Sequence, residues 1–162
     1  VLATSGLLDT TMYGPSFQDF AVEHPEHSPH YEYRLHDPRD TKCFRRSVYR
    51  FLVRSQPEPF MASLDCADPS MQVDRRNESV SPLQALSLWN DAFMLTTAKI
   101  AEERAKTAKN SLEDPISHAW MYCFSLPISA EDHAALTTLA REHGMSAVWR
   151  VLWNSNRFVF VE

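Results

Sequence analysis

Three histidines at three-residue spacing, His24, His27 and His30, are the first side chains able to do chemistry, with Glu26 among them and His36-Asp37 nearby. Imidazole is the commonest neutral metal ligand, and a glutamate adds an oxygen. Pro25 and Pro29 push this run toward polyproline II, in which the three rings share a face but stand roughly 9 Å apart. A zinc ion holds its nitrogen ligands within about 2.1 Å. The run is therefore expected to be a solvated loop, and neither a metal nor a cofactor is assigned.

Arginines form the second group: Arg45-Arg46, Arg50, Arg54 and Arg75-Arg76. A guanidinium fork suits carboxylate, sulfate or phosphate groups. Asp65, Asp68, Asp74 and Asp91 lie close enough in sequence to be internal partners, and internal ion pairing is the favoured expectation. The third candidate is Asn90-Asp91. Both are poor interior helix formers, yet they fall in the middle of a helical pattern. A buried amide or carboxylate costs roughly 1–3 kcal/mol unless it is hydrogen-bonded, so backbone groups or an arginine are expected to satisfy them. A sharper alternative pairs Asp65 with Asp91 as acid and base, although no catalytic spacing supports it. The candidate binding residues are thus Arg45, Arg46, Asp65, Arg75, Arg76, Asn90 and Asp91, with no catalytic residue assigned.

Motifs for other chemistries are missing. The chain holds no G-x-S-x-G, no H-E-x-x-H and no G-x-x-x-x-G-K-[ST]. Cys43, Cys66 and Cys123 contain no C-x-x-C or C-x-x-C-H, which excludes a self-contained zinc ribbon and covalent haem attachment here. One disulfide plus a thiol, or three thiols, both remain open. Trp89, Trp149 and Trp153 fall on helical faces and are expected in the core.

The elements that must position these groups are clearest from residue 81 onward. Ser81-Pro82-Leu83-Gln84 is a capping box with Pro at the first helical position. The helix it opens is expected to run to about Lys106 with Leu83, Leu86, Trp89, Asn90, Phe93, Met94, Thr97 and Ile100 on one face. Leu88 and Leu95 add a second stripe, so this central helix is expected to be buried on most sides. Asp114-Pro115 and Ser129 open two more helices, Gly144 stops the latter, and a final helix starts at Ser146. Phe158 to Val161 reads as an extended tail. Residues 45–54 fit both a strand and a helix, with a short strand preferred. Residues 9–42, rich in Pro, His, Asp and Ser, read as an irregular wrapping segment. Val1-Leu2-Ala3 reads as the end of a helix stopped by Gly6, so the chain is expected to be the carboxy-terminal portion of something longer.

Composition agrees with a globular protein. The 162 residues are 44% hydrophobic and 23% charged, with three Gly against ten Pro. No apolar run approaches the roughly 18–20 residues that cross a bilayer. The net charge of −5 argues against a dedicated nucleic-acid binder, which needs a basic face. Charge is uneven: residues 1–33 carry no Lys or Arg, whereas residues 34–76 carry nine basic groups against six acids. The middle is a cationic island.

One ordered set of motifs carries a resemblance. It comprises Ser5-Gly6-Leu7-Leu8-Asp9, Gly14-Pro15, Arg45-Arg46-Ser47-Val48-Tyr49, Pro57-Glu58-Pro59-Phe60 leading to Leu64-Asp65-Cys66, Arg75-Arg76, Ser81 through Phe93, and Leu152 through Val161. The set resembles the carboxy-terminal domain of unknown function 1553, typical of planctomycete-type bacteria. Two positions depart from the family pattern: Phe124-Ser125-Leu126 stand where a Gly-Arg is common before the third helix start, and Arg157 replaces an acid. The resemblance implies an extracytoplasmic, periplasmic or secreted, multidomain parent with cytochrome-c-like and other domains upstream, linked to polysaccharide breakdown. It supplies no catalytic residues.

The expectation is a mainly α single domain over residues 1–162. It would be a small irregular helical bundle around one long central helix, with a helical core at 81–156, a loop-rich 9–42 segment and at most a short β element. Its expected role is a non-catalytic interaction or scaffold module whose partners are upstream domains of the same polypeptide. The alternative is a hydrolase-type or glycan-binding site of Asp65, Asp91 and Arg76 acting on anionic glycans. Nucleic acid and a membrane span are not expected.

Overall fold

A computed structural model describes residues 1–24, 28–66, 72, 81–107 and 114–160. Local capping chemistry explains most of its helices, and the fold is mainly α with one small antiparallel hairpin. The chain gathers into two compact units. One holds Val1–Leu7 with Leu88–Glu162, the other Leu8–Ser87.

In the N-terminal unit, strands β1 (Ala21–Glu23) and β2 (His30–Glu32) pair antiparallel with Val22 opposite Tyr31. This hairpin lies inside the segment expected to be irregular. Phe20 is buried beneath it and meets Tyr31, Tyr33 and Phe51 edge-on at centroid distances of 5.1, 5.5 and 5.9 Å. The Gln56 amide imitates a neighbouring strand: its Oε1 accepts from Tyr31 N–H at 3.2 Å and its Nε2 donates to Tyr31 C=O at 2.7 Å. Residues 45–54 are not a strand. They form a 3-10 turn at Ser47–Tyr49 between extended Arg46 and Arg50. Backbone pairing is limited to single bridges, Asp9 with Arg45 and Phe17 with Arg50. The alternation there reflects Val53 turning into the core with Phe17, Phe20 and Phe44. Helix α1 (Pro59–Ser63) starts where Glu58 caps the amides of Phe60 and Met61 at 3.0 and 2.7 Å.

Helix α2 (Pro82–Asn90) opens on the expected capping box: Gln84 N–H donates to Ser81 Oγ at 3.2 Å, and Ser81 N–H donates to Gln84 Oε1 at 2.8 Å. The helix expected over 82–106 is two helices. Asp91 ends α2 and caps α3 (Ala92–Thr107), its Oδ1 accepting from Phe93 N–H at 2.8 Å. The break also corrects the expected burial. No residue of α2 is buried, and Leu83, Leu86, Trp89 and Asn90 are exposed. In α3, Met94, Thr97, Ala98 and Ala101 are buried at i, i+3, i+4, i+7 spacing.

The helical unit is completed by α4 (Pro115–Phe124), α5 (Ala130–His143), α6 (Met145–Trp153) and α7 (Asn156–Val159). Helix α6 is its hub, packing against α3, α4, α5 and α7 and burying Val148, Trp149, Leu152 and Trp153. Two of the three tryptophans expected in the core, Trp149 and Trp153, are there; Trp89 is exposed, with Arg150 over its ring at 4.7 Å. The tail expected to be extended is helical over Asn156–Val159 because Ser155 restarts the turn, accepting from the amides of Phe158 and Val159. Asp114 and Ser129 cap α4 and α5 as expected. The residue after α4, Ser125, adopts a left-handed φ of 55°. It belongs to the Phe124-Ser125-Leu126 departure from the family pattern, and glycine takes that conformation without strain. At the chain start, Gly6 (φ +68°) closes a helical turn, with Leu7 N–H donating to Leu2 C=O at 2.9 Å.

Gly144, at φ +81° and ψ 168°, both ends α5 and starts α6, and glycine brings no capping side chain. Glu102 of α3 supplies the acceptor instead: its Oε2 takes Ser146 N–H at 3.1 Å while Lys106 donates to Oε1 at 2.7 Å. The Lys106 and Ser146 hydrogen bonds hold the Glu102 carboxyl below its ordinary range against an opposing push from burial. A carboxyl depressed in the fold stabilises above its unfolded pKa, and that contribution is lost as pH falls through the folded value. Glu102→Gln is therefore expected to cost about 0.5–1.5 kcal/mol at pH 7. Urea denaturation should show that deficit shrinking as the pH is taken below the ordinary glutamate value of about 4.3 toward the lower folded one, where the parent carboxyl itself takes up a proton.

Candidate functional site

The arginines of the cationic island have separate fates. Arg45 is turned onto the loop ahead of it: Nη1 donates to Pro15 C=O at 2.9 Å, and Nη2 donates to Thr11 and Tyr13 C=O at 3.1 and 2.7 Å. Its guanidinium also lies 4.0 Å above the Tyr49 ring, whose hydroxyl accepts from Tyr13 N–H at 3.1 Å. Arg45 thus shapes the loop that includes left-handed Tyr13 and Gly14. Arg50 pairs through Nη1 with Asp19 and, at 3.3 Å, with Glu58, so one guanidinium joins the strand-side core to the cap of α1. Arg46 is exposed. Arg75 and Arg76 lie outside the described residues, as do Asp68 and Asp74.

Asp65 and Asp91 both have a backbone task. Asp65 has φ +59°, its N–H donates to Ala62 C=O at 3.2 Å, and Cys66 N–H donates to Met61 C=O at 3.0 Å. That double closure is the Schellman end of α1, with aspartate in the left-handed position usually given to glycine or asparagine. Asp91 is the N-cap of α3 described above. Asp65 belongs to the N-terminal unit, whereas Asn90 and Asp91 belong to the helical unit. Asn90 is exposed at the end of α2, so the buried amide expected there does not arise.

None of the three cysteines forms a disulfide, which leaves the thiol alternative. Burial pushes the Cys123 thiol up to about 12, marking it as a packing residue. Burial, together with the carboxylates of Asp40 and Asp19, pushes Cys43 up to about 11. Of the histidines first considered, His24 follows β1, His30 begins β2, and His27 lies outside the described residues.

A different group escaped the sequence analysis. His36, Asp40 and Cys43 are all half-buried, and each offers one donor atom within 4.8 Å of the other two. Their i, i+4, i+7 spacing was the available signal. A loop-like composition hides such a spacing, because helical periodicity carries no weight in a segment without a sustained apolar pattern. Asp40 also lines an open pocket of about 440 Å³ together with Asp9, Pro15, Gln18, Lys42 and Arg45. This pocket mixes charges of both signs, and its Asp9 carboxylate is already engaged by Thr11 N–H at 2.8 Å.

These observations define a mainly α protein with a small β hairpin, in which the described acid and arginine candidates are largely committed to shaping backbone. The chain belongs to the family described as protein of unknown function DUF1553 (PSD1), whose model matches residues 1–140. The Leu152–Val161 motif lies beyond that match. No curated protein and no solved structure matches the chain. Among the described residues, no helix is long and apolar enough to cross a membrane.

Proposed function

We propose that this chain is a non-catalytic interaction or scaffold module of an extracytoplasmic, multidomain protein connected with polysaccharide breakdown, its partners being other domains of the same polypeptide. The observation that carries this reading is that the Asp91 carboxylate caps α3, while Asp65 ends α1 through its left-handed backbone. Arg45 likewise spends its fork on three carbonyls of its own chain. Leu83 and Leu86, 61% and 57% exposed on α2, add apolar surface of the kind partners cover. The extracytoplasmic setting, the planctomycete-type context and the polysaccharide link rest on the family resemblance.

Asparagine separates a capping role from carboxylate chemistry, because it caps helix starts as well as aspartate and tolerates the left-handed conformation. Asp65→Asn and Asp91→Asn should fold like the parent, and none of the three proteins should turn over neutral or sulfated oligosaccharides. Turnover by the parent that either folded asparagine variant abolishes would establish the hydrolase-type alternative of Asp65, Asp91 and Arg76 on anionic glycans.

A further inference from the structure

We propose that His36, Asp40 and Cys43 form a binding site for a single divalent cation of the zinc class. The three residues lie within one eight-residue span that successive turns curl toward one side. His36 N–H donates to Tyr33 C=O at 3.3 Å, Asp40 N–H to Asp37 C=O at 3.0 Å, and Cys43 N–H to Asp40 C=O at 3.0 Å. The last contact closes the 3-10 turn Thr41–Cys43, which Asp40 also caps by accepting Lys42 N–H on Oδ1 at 3.0 Å. That cap fixes the carboxylate while occupying one oxygen.

The donor geometry suits a small ion. Ligands about 2.0–2.3 Å from a tetrahedral zinc stand roughly 3.3–3.8 Å from one another. Donors lying within 4.8 Å reach that spacing by rotations of about 1 Å at the side-chain tips. Cys43 takes part in no disulfide, and among the described residues its Sγ makes a weak 3.6 Å contact to Gln18 C=O. The donor types decide the metal. One thiolate, one imidazole and one carboxylate favour zinc or cobalt over magnesium or calcium, which take oxygen ligands alone. Three protein ligands leave a fourth position for water, and Asp40 also borders the 440 Å³ pocket. Metal binding releases one proton, which leaves the Cys43 thiol for solvent as the sulfur–metal bond forms.

Cobalt(II) is the probe, because a thiolate ligand gives an intense near-ultraviolet charge-transfer band and tetrahedral geometry gives visible d–d bands. The 162-residue chain, freed of any tag, should develop both with one equivalent of cobalt and lose them when zinc is added. His36→Ala, Asp40→Asn and Cys43→Ala should each weaken zinc at least 10-fold, and Cys43→Ala should abolish the charge-transfer band. Cys66→Ser and Cys123→Ser should leave the spectrum unchanged. Circular dichroism identifies any variant that fails to fold, and His36→Ala, which trims a half-buried ring, is the variant least exposed to that failure. Absence of the thiolate band in the parent overturns the proposal. So does a band indifferent to His36 and Asp40, or one lost with Cys66 or Cys123.

Discussion

Arg50→Ala is expected to destabilise the N-terminal unit by about 3–5 kcal/mol, the cost of stripping the countercharge from buried ions. The side chains of Arg50, Asp19 and Glu58 are only 16%, 11% and 15% exposed. The guanidinium pairs with both carboxylates, and it also lies 5.7 Å from the Phe17 ring centroid. Little slack exists, since Asp19 Oδ1 and Arg50 Nε are buried with no hydrogen-bond partner among the described residues. Truncation leaves two carboxylates facing each other in a poorly hydrated space, and it loosens Glu58, which must also hold the first turn of α1. Arg50→Lys restores the charge but not the planar fork and should recover part of the loss. Four of the five tyrosines lie in this unit, so urea denaturation followed through the tyrosine near-ultraviolet signal measures the effect. A loss below about 1 kcal/mol, the usual worth of an exposed pair, would show that the cluster is hydrated.

Trp153→Ala should cost the helical unit a similar amount, about 3–5 kcal/mol, but for a different reason. Trp153 is 1% exposed on α6, lies 5.4 Å from the Trp149 ring and donates through Nε1 to Thr4 Oγ1 at 2.9 Å. Alanine removes an indole from the hub helix and takes away the donor to Thr4 Oγ1, which still donates to Val1 C=O at 3.0 Å. Trp153→Phe fills most of the volume and loses chiefly the hydrogen bond, so it should cost about 1–2 kcal/mol. For a chain of this length each kcal/mol is worth roughly 2–4 °C. Thermal unfolding followed by far-ultraviolet circular dichroism therefore resolves the two substitutions.

What the sequence makes legible is what neighbouring residues decide. Ser81 with Gln84, Asp114 before Pro115, and Ser129 satisfy amides two or three residues away, so their helix starts are visible in a few letters. Gly144 announces its positive-φ break in the same way. Asp91 carries a signal of the same kind, masked by its surroundings. Its carboxylate reaches Phe93 N–H two residues on, but an unbroken apolar pattern on both sides suggested one continuous helix. A continuous helix would bury Asn90, Leu83, Leu86 and Trp89, and the break at Asp91 leaves all four exposed.

Contacts across long sequence separations were not legible. Arg45 finds its carbonyls 30 to 34 residues earlier and Arg50 finds Asp19 31 residues earlier. Internal pairing was the right expectation for Arg50, but the partners named for it were later aspartates. Glu102 capping the Ser146 amide 44 residues on is equally invisible, since the glycine before that helix carries no acceptor of its own. The alternation of Tyr49, Phe51 and Val53 misled because side-chain period alone cannot distinguish a ladder from two isolated bridges around a turn.

The most direct test of a non-catalytic module is reducing-end release from neutral and sulfated oligosaccharides by the parent, Asp65→Asn and Asp91→Asn, with cooperative unfolding verified for each. Flat traces for all three, with both asparagine variants as stable as the parent to within about 0.5 kcal/mol, are expected if Asp65 and Asp91 serve as a helix stop and a helix cap. Release of product by the parent, lost in either folded asparagine variant, would contradict that role and make the carboxylate a catalytic residue.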